Sequence, residues 1–178
     1  MTSIGVSGHR WFGSPAAVMQ GVDQALATIG ACFPRPFTLY SCLADGADRL
    51  VARRASLILG ARLVALLPMP QAEYRQDFSP KSQAEFTTLL QQAAEVIELP
   101  GLAPRSAAYE AAGRYMLAHS DVLLVIWDGQ PARGQGGTGQ MVAEARQLGL
   151  PLAWVLAKNR HFSLTGKPGR LTLERFPE

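Results

Sequence analysis

The stretch DVLLVIWDGQPARGQGGTGQMVAEARQLG, residues 121–149, contains a short apolar run, a glycine-rich loop and an amphipathic segment, in that order. The run at 122–127 is aliphatic and β-branched, which is typical of a strand buried on both faces of a parallel sheet. Apolar side chains recur at helical spacing over 141–148, which predicts a helix that packs one stripe on the sheet. The stretch therefore predicts a strand, a loop and a helix.

The loop between this strand and helix is unusually rich in glycine. Glycines let a backbone approach a ligand closely, and the free N–H groups of a helix's first turn attract anions together with the helix dipole. We therefore predict a phosphate or carboxylate site at 134–139, although the alternative, a loop that only needs positive φ angles, stays open. The predicted site residues in the loop are Gly134, Gly136, Gly137, Thr138 and Gly139.

The rest of the chain repeats the alternation of strand and helix. Alternating strands and helices of this length are typical of βαβ units and a parallel sheet. We predict a single-domain Rossmann-like three-layer α/β/α sandwich with a mainly parallel sheet of about six strands. The predicted strands are 4–7, 37–42, 62–67, 96–99, 122–127 and 152–156, and helices are predicted to begin at Ser14-Pro15, to end at Gly60, and to cover 81–94 and 106–119.

Residues 1–157 are predicted to form a Rossmann-like nucleotide-binding domain, and residues 158–178 a C-terminal arm or hairpin that is not a separate domain. In this arm, two short runs of alternating apolar and polar residues flank the turn at 166–169. It is expected either to cover a sheet edge or a partner subunit, or to be a plain surface appendage.

Composition favours one globular domain, with 178 residues, 48% of them hydrophobic and 17% charged. We expect a cytoplasmic protein, because no apolar run approaches the roughly 18 residues of a membrane span and the N-terminus does not resemble a signal peptide. Cys32 and Cys42 lack metal-ligand spacing, so we predict reduced thiols and no metal. The net charge of +3 neither requires nor excludes nucleic acid.

Polar residues follow several of the predicted strands. In open α/β sheets, ligands bind outside the carboxyl ends of the strands, so these residues are candidates for a common site. Each also has a structural alternative: a backbone hydrogen bond for His9, a helix cap for Asp45 or Asp48, and an Asx-turn for Asp128. Besides the loop, the predicted ligand-binding residues are Gly8, His9, Arg10, Asp45, Gly46 and Gly129.

Two common nucleotide motifs are absent from the sequence. The segment GVSGHR after the first strand is not G-x-G-x-x-G, and no acidic residue closes the second strand at the required distance. No Lys-Ser or Lys-Thr follows the glycine loop, so it is not a Walker A motif. We therefore predict no NAD or FAD cofactor and disfavour hydrolysis of nucleoside triphosphates.

Three blocks of the chain resemble the SLOG superfamily of Rossmann-like proteins. LYSCLADGADRLVARRASLILGARLVALLP is similar to the family's second strand, glycine turn, helix and third strand, SDVLLVIWDGQPARGQGGTG to its fifth strand and phosphate loop, and LPLAWVLAKN to the strand that follows. The superfamily includes the "lonely guy" nucleoside-monophosphate phosphoribohydrolases and the DNA-processing protein A of natural transformation. The resemblance covers residues 4–157 and implies a nucleotide-binding fold.

The chain departs from the lonely-guy pattern where the resemblance would imply catalysis. These enzymes carry PGGxGTxxE, whose glutamate works with an arginine on the preceding helix. In GGTGQMVAE, Gln140 replaces the threonine and Glu144 is shifted by at least one residue, about 100° around the helix. Arg114 is about two residues out of register. The candidate catalytic residues are Asp128, Glu144, Asp45 and Arg114.

We expect a protein that binds a nucleotide or nucleotide-derived small molecule, as a sensor or carrier. A nucleoside-monophosphate N-glycosidase is the alternative, and a single-stranded DNA-binding protein of the DNA-processing type is the second alternative. Modest charge and few stacking aromatics make a nucleic-acid partner the less favoured prediction. A homodimer or higher homo-oligomer without membrane association is also expected.

Overall fold

The computed structural model describes residues 1–132, 134–159 and 166–177. In these residues the strands are β1 (Thr2–Gly8), β2 (Phe37–Ser41), β3 (Arg62–Leu67), β4 (Glu95–Glu98), β5 (Val122–Trp127), β6 (Leu152–Leu156) and β7 (Leu171–Glu174). The helices are α1 (Pro15–Cys32), α2 (Ala47–Leu59), α3 (Gln71–Tyr74), α4 (Pro80–Gln92), α5 (Arg105–Ala118) and α6 (Thr138–Leu148). A 3₁₀ turn, Arg75–Asp77, follows α3.

All strands belong to one sheet with the order β4-β3-β2-β1-β5-β6-β7. Strands β1 to β6 run parallel, and only β7 is antiparallel to its neighbour. In the register of the two central pairs, Ile4 lies opposite both Leu39 and Val122. The predicted Rossmann-like α/β fold is therefore confirmed, and β5 is an interior strand, as its apolar run predicted.

Strand β5 shows how the sheet separates two helical layers. Val122, Leu124 and Ile126 point into the core formed with α1 and α2, whereas the alternate residues of β5 point into the core under α5 and α6. Every residue of β5 is buried. An entirely apolar strand follows from this position, because neither of its faces meets water.

Helix ends agree in part with the sequence predictions. Gly60 ends α2 in the left-handed conformation at φ 62°, which removes the Cβ penalty that other residues would pay there. Pro15 begins α1 as predicted. Ser14 takes the N-cap position before it, but Ser14 is left-handed at φ 55° and its side chain makes no capping hydrogen bond. A serine cap occurs instead at α4, where Ser79 accepts the Ser82 N–H.

The C-terminal segment adds a strand that the sequence analysis did not count. Leu171–Glu174 pairs antiparallel with β6, so the sheet has seven strands and not about six. The segment crosses α1 closely, because a Cβ on Gly21 would lie 2.3 Å from the Gly169 carbonyl oxygen. The first run of the predicted hairpin, within 160–165, lies outside the described residues, and the assignment of 158–178 as an arm or hairpin that is not a separate domain stays a prediction.

No helix in the described residues is both long and apolar enough to cross a membrane.

Candidate functional site

A cavity of about 390 Å³ opens at the carboxyl ends of β1 and β5. The chain leaves β1 toward β2 on one side and leaves β5 toward β6 on the other, so these neighbours form the switch point of the sheet. Such a point is where α/β proteins bind ligands. Of the residues predicted for the site, the cavity is lined by Gly8, His9, Arg10, Asp128, Gly134, Gly136, Gly137, Thr138 and Gly139.

The glycine-rich loop forms one wall and leads into α6. Gly136 has φ 77°, and a Cβ on Gly139 would lie 2.5 Å from the Ala132 amide nitrogen, so neither position accepts a side chain without a shift. The hydrogen-bond ladder of α6 begins with the Gln140 N–H donating to the Gly137 carbonyl. The N–H groups of Thr138 and Gly139 precede this ladder, and such first-turn groups are the donors that bind anions.

Gln140 connects this loop to the neighbouring helices through hydrogen bonds. Its Oε1 accepts the Gly136 N–H at 2.8 Å, and its Nε2 donates to Glu110 Oε1 at 2.7 Å and to Glu144 Oε1 at 3.0 Å. Gln135 also donates to Glu110. Glu110, on α5, was not predicted for the site, and no sequence motif marks it. The loop is thus held against α5 and α6 through two carboxylates.

Arg114 and Glu144 form an ion pair outside the cavity. Arg114 donates to both oxygens of Glu144, with Nε to Oε2 at 3.1 Å and Nη2 to Oε1 at 3.0 Å, and also contacts Glu110 Oε1 at 2.7 Å. The pKa of Glu144 is lowered, chiefly by the Arg114 hydrogen bonds. The pKa of Glu110 is lowered by Gln135 and Gln140 first. Neither Arg114 nor Glu144 lines the cavity, which agrees with their shifted register.

His9 connects the ends of three strands. Its Nε2 accepts the backbone N–H of Asp128 at 3.1 Å and lies 3.3 Å from Asp128 Oδ1. Its Nδ1 lies 3.4 Å from the side-chain amide nitrogen of Asn159, which follows β6. Both ring nitrogens therefore face protein atoms, which favours a positioning role for His9.

Asp128 is a carboxylate at the cavity wall with a defined orientation. Its Oδ1 accepts the Gln130 N–H at 3.1 Å, which makes the Asx-turn that was one of its two predicted roles. Only 4% of its side chain is exposed. The turn and a place in the cavity lining are thus compatible.

Arg10 brings a positive charge to the cavity. Its guanidinium carbon lies 5.5 Å from the centre of the Tyr109 ring, within cation–π range. Burial alone would lower the pKa of Arg10, but Tyr74, Tyr109 and Asp77 outweigh it and raise the pKa. Arg10 therefore stays charged and can pair with an anion in the cavity.

Four side chains that the sequence analysis did not assign to the site line the side of the cavity around Arg10: Cys42, Asp48, Tyr74 and Tyr109. Asp48 was named among the strand-end residues with a helix cap as its structural alternative. Its Oδ2 accepts the N–H of Ala44 at 3.3 Å, and because Ala44 precedes α2 this bond is not a cap of that helix. Burial raises its pKa to about 7, although the N–H groups of Ala44 and Cys42 and the charges of Arg10 and Arg49 act in the opposite direction. Tyr74 and Tyr109 lie on helices, where the strand-end argument does not apply.

Besides Arg114 and Glu144, three further predicted residues lie outside the cavity lining and pack around it. Asp45 accepts a hydrogen bond from Ser82 and pairs with Arg49 at 2.9 Å. Gly46, at φ 80°, abuts the backbone of the loop after β1, since a Cβ there would lie 2.4 Å from the Arg10 carbonyl oxygen. Gly129, at φ 81°, packs against an indole. Their contacts favour a structural role.

The described part of the chain contains no group of three or more His, Cys, Asp or Glu side chains arranged to hold a metal ion. Among the residues that line the cavity, Arg10, Asp48 and Asp128 carry ionisable side chains, beside the N-terminus of α6.

No protein-family model and no curated protein sequence matches the chain. Several solved structures share its fold, including the following two. The X-ray structure of DNA processing protein A (DprA) from Streptococcus pneumoniae matches with a TM-score of 0.58 at 18% identity, over 90% of this chain and 52% of that one. The X-ray structure of TM1055, a structural genomics target, matches with a TM-score of 0.53 at 16% identity, over 85% and 72%.

At these identities the likeness concerns the fold alone. The chain spans about half the length of DprA. The expected Rossmann-like fold is confirmed by both likenesses.

Proposed function

We propose that the protein binds a nucleotide or nucleotide-derived small molecule through the loop at 134–139, as a sensor or carrier. The observation that carries the proposal is the cavity at the switch point, with the glycine loop and the α6 N-terminus in its wall. A volume of about 390 Å³ lies within the range of small-molecule sites, roughly 300–1,000 Å³. Arg10 supplies a cation in the same cavity.

Within the loop, Gly137 is the position where a side chain tests anion binding with the least damage to the fold. Its φ of −78° and ψ of 161° suit any residue, and the nearest atom to a Cβ there is the Gly134 carbonyl oxygen at 3.5 Å. A β-branched side chain would fit the backbone but would crowd the first-turn N–H groups. Gly136 and Gly139 are unsuitable, because substitution there strains or displaces the backbone.

We expect Gly137→Val to abolish binding of ribose 5-phosphate and of nucleoside monophosphates, measured by calorimetry, while the melting temperature stays close to that of the wild type. Gly13→Val is the matched control, because Gly13 lies outside the cavity lining and the nearest atom to a Cβ there is 3.8 Å away. Unchanged affinity in Gly137→Val would rule out this anion site.

A nucleoside-monophosphate N-glycosidase is the second candidate, because a carboxylate, Asp128, lines the cavity. A hydrolase of this type needs a carboxylate beside the sugar, and such a group contributes about 10²- to 10⁴-fold in rate. The glutamate that the lonely-guy pattern implies is not available, because Glu144 is held by Arg114 outside the cavity. Binding without turnover is therefore the first candidate.

We expect nucleoside monophosphates to be bound but cleaved slowly or not at all, as measured by release of free base. Robust release that is lost in Glu144→Gln would overturn this expectation. Release that is lost in Asp128→Asn but kept in Glu144→Gln would also establish a hydrolase, with Asp128 as its carboxylate. Single-stranded DNA binding stays the second alternative, and homo-oligomer formation stays a prediction.

A further inference from the structure

We propose that Asp48, with Cys42 and Tyr74 beside it, forms a hydrogen-bond-donor subsite that binds a neutral acceptor atom on the organic part of the ligand, such as a ring nitrogen or carbonyl oxygen of a nucleobase. This inference rests on the proposed function, and it makes Asp48 the specificity-determining residue of the cavity. The glycine loop would hold the phosphate, whereas this subsite would select among phosphorylated compounds.

The three side chains come from separate elements and line the same cavity. Cys42 directly follows β2, Asp48 lies in the first turn of α2, and Tyr74 ends α3. Asp48 is 6% exposed and Tyr74 is 1% exposed. Asp48 already accepts the Ala44 N–H, so a ligand acceptor would pair with its acid proton, and a buried group that pairs with a ligand atom adds selectivity.

The environment favours the protonated form of each group. Burial raises the pKa of Asp48 to about 7, and burial followed by the neighbouring Asp48 raises the pKa of the Cys42 thiol. The pKa of Tyr74 is raised by burial first and then by Cys42 and Asp48. A carboxylic acid, a thiol and a phenol each have one proton to donate, so the subsite is rich in donors.

The neighbouring surface suits a flat ring. Tyr109, Gly113 and Met116 of α5 line the same cavity. The ring centres of Tyr74 and Tyr109 lie 6.4 Å apart, and the guanidinium group of Arg10 lies over the Tyr109 ring. Aromatic and thioether side chains around a few polar groups are typical of small-molecule sites. A nucleobase combines such a flat surface with acceptor atoms at its edge.

The test compares a nucleoside monophosphate with ribose 5-phosphate, which shares its phosphate and sugar but lacks the base. The ratio of the two affinities isolates the base, and the titration of the phosphate cancels in it. Calorimetry with AMP, GMP, CMP and UMP between pH 6 and pH 8.5 gives these ratios for the wild type, for Asp48→Asn, and for Asp23→Asn as a control on α1.

We expect at least one monophosphate to bind 10-fold or more tightly than ribose 5-phosphate at pH 6, about the effect of one good hydrogen bond. Because only protonated Asp48 donates, this advantage should decline as the pH rises through about 7. An amide keeps a donor at every pH, so in Asp48→Asn the advantage should persist to pH 8.5. The Asp23→Asn variant should behave as the wild type.

An advantage that is independent of pH in the wild type, or that grows as the pH rises, would overturn the donor subsite. The donor subsite would also be overturned if every monophosphate bound with the same affinity as ribose 5-phosphate. The proposed function would then still stand. If ribose 5-phosphate itself does not bind, the anion site and therefore the proposed function fail. Ribose 5-phosphate binding by Asp48→Asn also verifies that the variant is folded.

Discussion

Single residues in the cavity have two kinds of environment. Asp128 is oriented by the Gln130 N–H and lies beside His9, whereas burial dominates the environment of Asp48 and raises its pKa. Sequence analysis found Asp128, because it follows the strand in the decisive stretch. It named Asp48 after the second strand, with a helix cap as the alternative, but did not select it for the site, because burial and the proximity of Cys42 and Tyr74 depend on tertiary packing that a linear pattern does not contain.

The raised pKa of Asp48 predicts a pH-dependent contribution to stability. In the unfolded chain an aspartate has a pKa of about 3.9, whereas in the folded protein the value is about 7. Between these pH values the folded state holds a proton that the unfolded state has lost, so the free energy of unfolding falls as the pH rises. The fall amounts to up to about 4 kcal/mol and is complete above pH 7.

Asp48→Asn should abolish this fall in the free energy of unfolding with rising pH. Urea unfolding between pH 4 and pH 8 should show the variant gaining stability relative to the wild type as the pH rises to about 7, with a constant difference above it. Asp23→Asn serves as the comparison, because Asp23 lies on the surface in an ion pair with Arg54. A wild-type-to-variant difference that does not change with pH would contradict the burial of a protonated Asp48.

At the scale of elements, the periodicity of the sequence predicted six strands and their order along the chain, because each buried element carries its own apolar pattern. The cavity wall was also predictable, since strand, glycines and helix are consecutive in sequence. The strand β7 was missed as part of the sheet, because its short alternating pattern is equally typical of a surface arm. Only the pairing with β6 in the folded structure shows that this segment is a strand of the sheet.

The interior position of β5 leads to a prediction about local opening. Its amides pair with β1 and β6, and every side chain is buried, so exposure requires the opening of both flanking ladders. Hydrogen exchange should therefore place residues 122–127 among the slowest in the protein. Strand β4, an edge strand with mostly exposed side chains, is the internal comparison and should exchange much faster. Comparable rates in the two strands would be inconsistent with this sheet order.

At the scale of the whole molecule, the C-terminal segment connects the sheet edge to the α1 layer. Strand β7 covers β6, and Arg146 on α6 pairs with Glu174 at 2.7 Å. The turn before β7 lies against α1, where a Cβ on Gly169 would be 2.1 Å from the Ala17 carbonyl oxygen. The segment is therefore fitted to both helical layers, and its attachment depends on a glycine.

Gly169→Ala should destabilise the protein more than Gly60→Ala does. Both glycines have a positive φ, so both substitutions incur backbone strain of about 1 kcal/mol. Only the side chain at 169 meets a backbone atom, whereas no atom lies within 4 Å of a Cβ at 60. In urea unfolding, we expect Gly169→Ala to lower the free energy of unfolding by about 1–3 kcal/mol more than Gly60→Ala does. Equal losses would show that the contact with α1 does not restrain this segment.

The central place of β1 in the sheet also determines when the sheet can be completed during synthesis. Strand β1 leaves the ribosome before β2, which can pair with one side of it early, but its other side waits for β5, more than 100 residues later in the chain. Until then a nascent half-sheet carries an open central edge, which is a surface prone to wrong pairing. The cavity needs both halves, so ligand binding becomes available only after β5 and the glycine loop have been synthesised.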